Sequence, residues 1–193
     1  MTVGRINRVK AVTAGTLSLV AVAGTGVAMA QGGISANIAV SGTIFKISMD
    51  NLDGSGFNLF VSGDKVGDKQ IPVSRLTFEH AGVSGLCLQA PLPDIPGIGT
   101  VTFALKAAGE GSVDADNLIV GATSILGDLK LSDPRIGADV HEVNPDAPPS
   151  TWGITAPNVN VTAQDIQASS VGASKLNASG ASVVVKKGDG DVC

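Results

Sequence analysis

After residue 30, apolar positions recur at every second place, and no stretch sustains three turns of an amphipathic helix. That pattern predicts an all-β domain. Ile38 and Val40, then Phe45 and Ile47, alternate with polar or small neighbours. Asn51-Leu52-Asp53-Gly54-Ser55-Gly56 predicts a turn, followed by a strand over 57–61 and a solvent loop over 62–70. Strands are expected again over 71–78 and 81–89, the second carrying Cys87 between Leu86 and Leu88. The proline-rich run 90–97 lacks backbone donors and is expected to lie outside any sheet. Over 100–106, Val101, Phe103 and Leu105 share one face.

A five-residue beat marks the C-terminal third. Val161, Ile166, Val171, Leu176 and Ala181 fall five apart, each followed two places later by Ala163, Ala168, Ala173, Ala178 or Val183. In a flat strand an odd period sends alternate units to opposite faces, so each unit requires a bulge or corner. The run from Val113 and Ala115 through Leu118 and Val120 echoes the beat, and Ile125, Leu129 and Leu131 continue it less regularly. The predicted fold is therefore a bulged, curled antiparallel sheet or sandwich, with a short β-solenoid as the alternative. A long proline-containing surface loop is expected over 134–150, just before the sole tryptophan, Trp152. Trp152 either plugs one end of the core or stands exposed as an interaction residue.

The N-terminus changes the picture. Arg5, Arg8 and Lys10 precede a soft apolar stretch, and Ala28-Met29-Ala30 offers small residues to a signal peptidase. Residues 1–30 therefore read as a signal peptide, with a retained anchor helix as the alternative, and 31–193 as one secreted or cell-surface β domain. That exported part carries all 17 acidic but only 10 of the 13 basic residues, a formal charge of about −7. No nucleic-acid partner is expected of such a surface. Cys87 and Cys193 are the only cysteines, and an even pair in an exported chain predicts a disulfide; an intermolecular link through Cys193 is the competing arrangement.

Little in the motifs points to catalysis. Gly82-Val83-Ser84-Gly85-Leu86 misses the last glycine of a nucleophile elbow, and no helix is expected to follow it. His80 and His141 stand beside Glu79 and Glu142, and neither shows metal-ligand spacing with the cysteines, so both read as structural or solvent residues. Asp50, Asn51, Asp53 and Ser55, and separately Asp189 and Asp191, could offer oxygens to calcium without matching a calcium loop. Asp50-Asn51 and Asp116-Asn117 read first as strand-end corners. Otherwise no cofactor is expected.

Five features are distinctive: Asp50-Asn51-Leu52-Asp53-Gly54-Ser55-Gly56-Phe57, the isolated Cys87, Val113-Asp114-Ala115-Asp116-Asn117-Leu118, Thr151-Trp152-Gly153-Ile154-Thr155 and the ending Val185-Lys186-Lys187-Gly188-Asp189-Gly190-Asp191-Val192-Cys193. Across nearly the whole chain they resemble a family of secreted proteins from Streptomyces and related actinomycetes, often labelled cholesterol esterase. The resemblance implies a signal peptide, a glycine-rich β domain, and one cysteine near the middle with another at the end. It brings no catalytic residue to carry over. The expected function is a non-catalytic envelope or extracellular structural protein that self-associates. The alternative is a lipid or apolar-ligand carrier whose groove is lined by Phe103, Leu105, Leu118, Val120, Leu129 and Leu131; those residues would otherwise fill a dry core. An esterase is the third reading.

Overall fold

The computed structural model describes residues 36–38 and 43–193. The expected signal peptide at 1–30 lies outside the described residues. Among the described residues ten strands follow in order: β1 (Ala36–Ile38), β2 (Phe45–Val66), β3 (Lys69–Ser84), β4 (Leu86–Ile95), β5 (Gly99–Ala107), β6 (Val113–Ser132), β7 (Arg135–Asp139), β8 (Trp152–Ala173), β9 (Lys175–Ala178) and β10 (Ala181–Lys187). The only helical piece among the described residues is a 3-10 turn, Val140–Glu142. Every pairing is antiparallel, and the path runs β1-β8-β6-β3-β2-β4-β5-β10. An additional β8–β2 pairing joins the four long strands β2, β3, β6 and β8 into a closed ring. The fold is thus all-β, a curled and bulged antiparallel sheet.

The five-residue beat is realised as bulges. Along β8, Ala163 pairs with Gly127 and Asp165 with Leu126, leaving Gln164 over; Ala168 pairs with Ala122 and Ser170 with Gly121, leaving Ser169 over. Each extra residue returns the next apolar pair to the buried side, so Val161, Ala163, Ile166 and Ala168 all reach the core. The next correction, at Ser174, separates β8 from β9, and Ser179-Gly180 separates β9 from β10.

Several expected boundaries move. Asn51–Gly56 is no turn but the middle of β2, where Asn51, Asp53 and Ser55 pair with Ser84, Gly82 and His80. Polar residues are tolerated there because they sit on the outer face, with Leu52 buried between them. The loop expected over 62–70 is a hairpin that continues pairing through Val66↔Lys69. β4 runs on through Pro91 and Pro93 as far as Ile95. Beyond Gln89 no β2 residue pairs with it, so its prolines need donate no bond on that side. β3 passes into β4 without reversing, since Ser84 faces Asn51 and Cys87 then faces Ser48 along β2; the join is a kink at Gly85, whose φ of 62° suits glycine. The 134–150 segment contains β7 and the 3-10 turn, and its backbone is gathered by Asp139, which accepts from His141, Ser150 and Thr151.

One row of paired residues shows where the core lies. Ile125 on β6, Ile166 on β8, Ile47 on β2, Leu88 on β4, Leu105 on β5 and Val183 on β10 are successive cross-strand partners. Ile166, Ile47 and Leu88 are buried and Leu105 is partly buried, while Ile125 is 39% and Val183 59% exposed. Phe57 and Phe78 pack nearby with ring centroids 5.4 Å apart. No buried side-chain polar atom among the described residues lacks a partner, as a well-packed interior demands.

Cys87 and Cys193 form an intramolecular disulfide across 106 positions. In the chain-entropy model a loop of that length stabilises the fold by about 5 kcal/mol. The bond secures a tail that crosses β5, β4 and β2. Lys106 Nζ donates to the Val192 carbonyl at 2.6 Å, Gln89 Oε1 accepts from the Val192 and Cys193 amides at 2.6 and 2.9 Å, and Asp191 lies 3.7 Å from Lys46 Nζ.

Candidate functional site

A kink crosses the sheet where inward and outward positions exchange. It passes through Gly56 (φ 62°) on β2, residues 79–80 on β3 and Asn117 (φ 51°) on β6. Asn117 donates to Ser174 Oγ at 2.8 Å, and Ser174 donates from both its amide and its hydroxyl to the Asp116 carbonyl. The Asp116-Asn117 corner expected from sequence is therefore real, but it lies inside β6 rather than at a strand end.

Beside this kink the register builds a polar patch on the outer face. His80 pairs with Asp116, and Gly82 pairs with Asp114, so His80, Asp114 and Asp116 occupy three corners of a square whose fourth is Gly82. His80 Nδ1 lies 2.9 Å from Asp116 Oδ1, and Nε2 lies 3.3 Å from Asp114 Oδ2. Lys175 Nζ approaches Asp116 Oδ2 from β9 at 3.9 Å. The hydrogen bond from His80 outweighs partial desolvation, and together with the charges of Lys175 and His80 it holds the Asp116 carboxyl below its ordinary range. One ligand atom from each of the three residues falls within 4.8 Å of the others, so the cluster can coordinate a metal ion. Sequence spacing missed it because His80 and Asp116 are 36 positions apart and meet only through β3–β6 pairing.

The oxygens considered for calcium sort differently. Asn160 Nδ2 donates to Asn51 Oδ1 at 2.6 Å and to Asp53 Oδ1 at 2.7 Å, while Asn51 Nδ2 donates to Asp53 Oδ2 at 2.6 Å. Asp50 lies apart, against Gly85, and Asp191 is drawn to Lys46. A second carboxylate centre, not anticipated from sequence, joins Asp64 to Arg75 and to the hydroxyls of Ser169 (2.6 Å) and Ser170 (2.5 Å).

The other candidates are placed as follows. Ser84 Oγ accepts from the Gly111 amide at 2.8 Å, and His141 Nδ1 lies 2.7 Å from the Ala147 carbonyl. Trp152 is 62% exposed and does not plug the core; its strand partner is Asp139, and its indole lies over Gly137. A bulky ring at the first residue of β8 projects past the packed layer, and the smaller cluster of Phe60, Val140 and Ala147 closes that end instead. Of the six apolar residues proposed for a groove, Leu118 and Val120 are buried, while Phe103, Leu105 and Leu131 pack against the same core. Leu129 is 44% exposed at the far half of β6. Leu118 also borders an open groove of about 490 Å³ beneath residues 143–148, alongside Phe60, Phe78, Arg75 and Glu79. A second groove of about 360 Å³ lies across Val143 and takes in Arg135 and Asp133.

Residues 41–193 match the family of unknown function DUF6230, and the chain belongs to that family. Neither the curated proteins nor the solved structures contain a match to it.

Proposed function

We propose that this protein is a non-catalytic structural unit, exported to the envelope or its surroundings, that joins copies of itself edge to edge. The carrying observation is the apolar row from Ile125 to Val183, which runs out at each end to an exposed residue on a strand paired on one side only among the described residues. Beyond Ala122, β6 has only β8 as a partner, and β10 has only β5 among the described residues. Leu126 and Leu129 on the first edge and Val185 on the second add further exposed apolar area. Unpaired edges of this kind are templates for strand addition unless guarded. The row spans six antiparallel strands, both edges included, so setting β10 of one copy against β6 of the next continues the same alternation. Such a head-to-tail contact is heterologous and favours linear growth.

The disulfide fits an oxidising compartment. Ser84 and both histidines are engaged with other groups, which favours a structural over a hydrolytic role. A charge near −7 opposes approach, so salt or calcium should strengthen assembly by screening it. A carrier of apolar ligands is the second reading, favoured by the 490 Å³ groove.

Sedimentation velocity from low to physiological salt, with and without calcium, tests the proposal. Oligomers that grow with concentration and screening are expected. Val183→Lys and Leu129→Lys should each stop growth, yet mixing the two variants should give dimers through the intact edge of each. A strict monomer under all conditions overturns assembly, and stoichiometric apolar molecules on that monomer in native mass spectrometry would favour the carrier.

A further inference from the structure

We propose that His80, Asp114 and Asp116 form a binding site for a divalent first-row transition-metal ion, with zinc(II) as the probe. The argument begins with donor chemistry. An imidazole nitrogen with two carboxylates matches the ligand preferences of zinc and its neighbours, whereas calcium seeks six to eight oxygens. Asp53, which faces Gly82 from β2, already accepts from Asn51 and Asn160, so the patch offers calcium few further oxygens.

Geometry supplies the second strand of the argument. Ligands about 2.1 Å from a tetrahedral ion stand roughly 3.4 Å apart. One donor atom from each residue already lies within 4.8 Å of the others; the 2.9 and 3.3 Å contacts of His80 use its two different ring nitrogens, so one of them is given up when a single nitrogen takes the ion. Rotation of exposed side chains is enough to close the set, because all three are between 39 and 52% exposed. Three protein ligands leave at least one position for water, and the fold provides room for it. Gly82 completes the square without a side chain, and a Cβ built there would meet nothing within 4 Å. A residue of any size at that corner would cover the face from which the ion and its water enter.

Lys175 gives the proposal a sign that a purely structural cluster lacks. Its ammonium sits 3.9 Å from Asp116 Oδ2 and competes with a cation for that carboxylate. Removing it should tighten metal binding, whereas removing a member of an ordinary surface ion-pair network would leave zinc indifferent.

Isothermal titration of the full chain with zinc, manganese and calcium salts is the experiment, with far-UV circular dichroism verifying the fold of each variant. One zinc per chain is expected, bound more tightly than calcium. His80→Ala and the double variant Asp114→Asn/Asp116→Asn should each weaken it by at least about tenfold. Lys175→Ala should strengthen it by about two- to fivefold. If His80→Ala does not fold, His80→Gln takes its place. Cobalt(II) in the intact protein should give visible ligand-field bands that the His80 variant loses. Absence of stoichiometric zinc, calcium bound as tightly as zinc, or zinc binding unaltered in the ligand variants overturns the assignment.

Discussion

Asp64 and Asp116 are both carboxylates held below their ordinary range, yet the two regions use that charge in opposite ways. At Asp64, burial opposes ionisation, and the hydroxyls of Ser169 and Ser170 with the guanidinium of Arg75 overcome it. Its side chain is only 12% exposed, and its partners come from strands far apart in sequence. Asp116 faces solvent, and its partners His80 and Lys175 are themselves half exposed. The first carboxylate is saturated by groups that cannot leave without opening the sheet. The second is surrounded by groups that can turn away and admit something else. A lowered carboxyl alone therefore says little about function; what separates the two is whether the partners are fixed.

The sharpest way to break this contrast is truncation. Asp64→Ala removes the carboxylate that pairs the guanidinium of Arg75 and accepts from two serine hydroxyls, leaving Arg75 only the Gly63 carbonyl and Ser169 only that of Gly121, and should lower stability by roughly 2–3 kcal/mol in urea unfolding. Asp116→Ala should leave the urea midpoint nearly unchanged. Equal costs at the two sites would erase the distinction. Acid titration comes next in size. Both carboxyls are lowered in the folded state, so each contributes stability that is complete above the unfolded value near 4 and is lost as pH falls through the folded value. Wild type should weaken below about pH 4, and Asp64→Ala should flatten most of that slope. The contribution of Asp116 should shrink in added salt while that of Asp64 persists, because solvent ions screen only the exposed charge. An acid slope equally salt-sensitive in wild type and Asp64→Ala would contradict this. The smallest effect belongs to His80→Gln, which should leave the metal-free thermal midpoint almost where it stands in differential scanning calorimetry. A drop as large as that of Asp64→Ala would make His80 part of the framework.

The legible features were those that depend on local alternation or on covalent chemistry. The five-residue beat led to bulges after Ala163 and Ala168, because a change of face is written directly in the order of apolar residues. The cysteine pair needed only an even count and the expectation of export. What stayed hidden depended on register. Asn51–Gly56 carries every mark of a turn, and only the opposing Ser84, Gly82 and His80 reveal a strand with a polar outer face. Pro91 is admitted to β4 because the second neighbour ends before it, which is a property of β2 rather than of the proline. Asp64 has no local signal at all, since the serines that complete it lie 105 and 106 positions away. Leu129 continues the core pattern, less regularly, yet is half exposed, because among the described residues only β8 pairs with that end of β6.

Trp152 has a spectroscopic consequence. The chain contains one tryptophan and no tyrosine, so its near-ultraviolet emission comes almost wholly from one indole. That indole is largely in water in the folded protein, and unfolding moves it from water into water. Emission should shift little while the sheet melts, leaving the β-sheet dichroism band as the signal for global unfolding. The same indole would report sensitively on anything that comes to rest over Gly137 and the β7–β8 end, since a blue shift there can arise only by covering it.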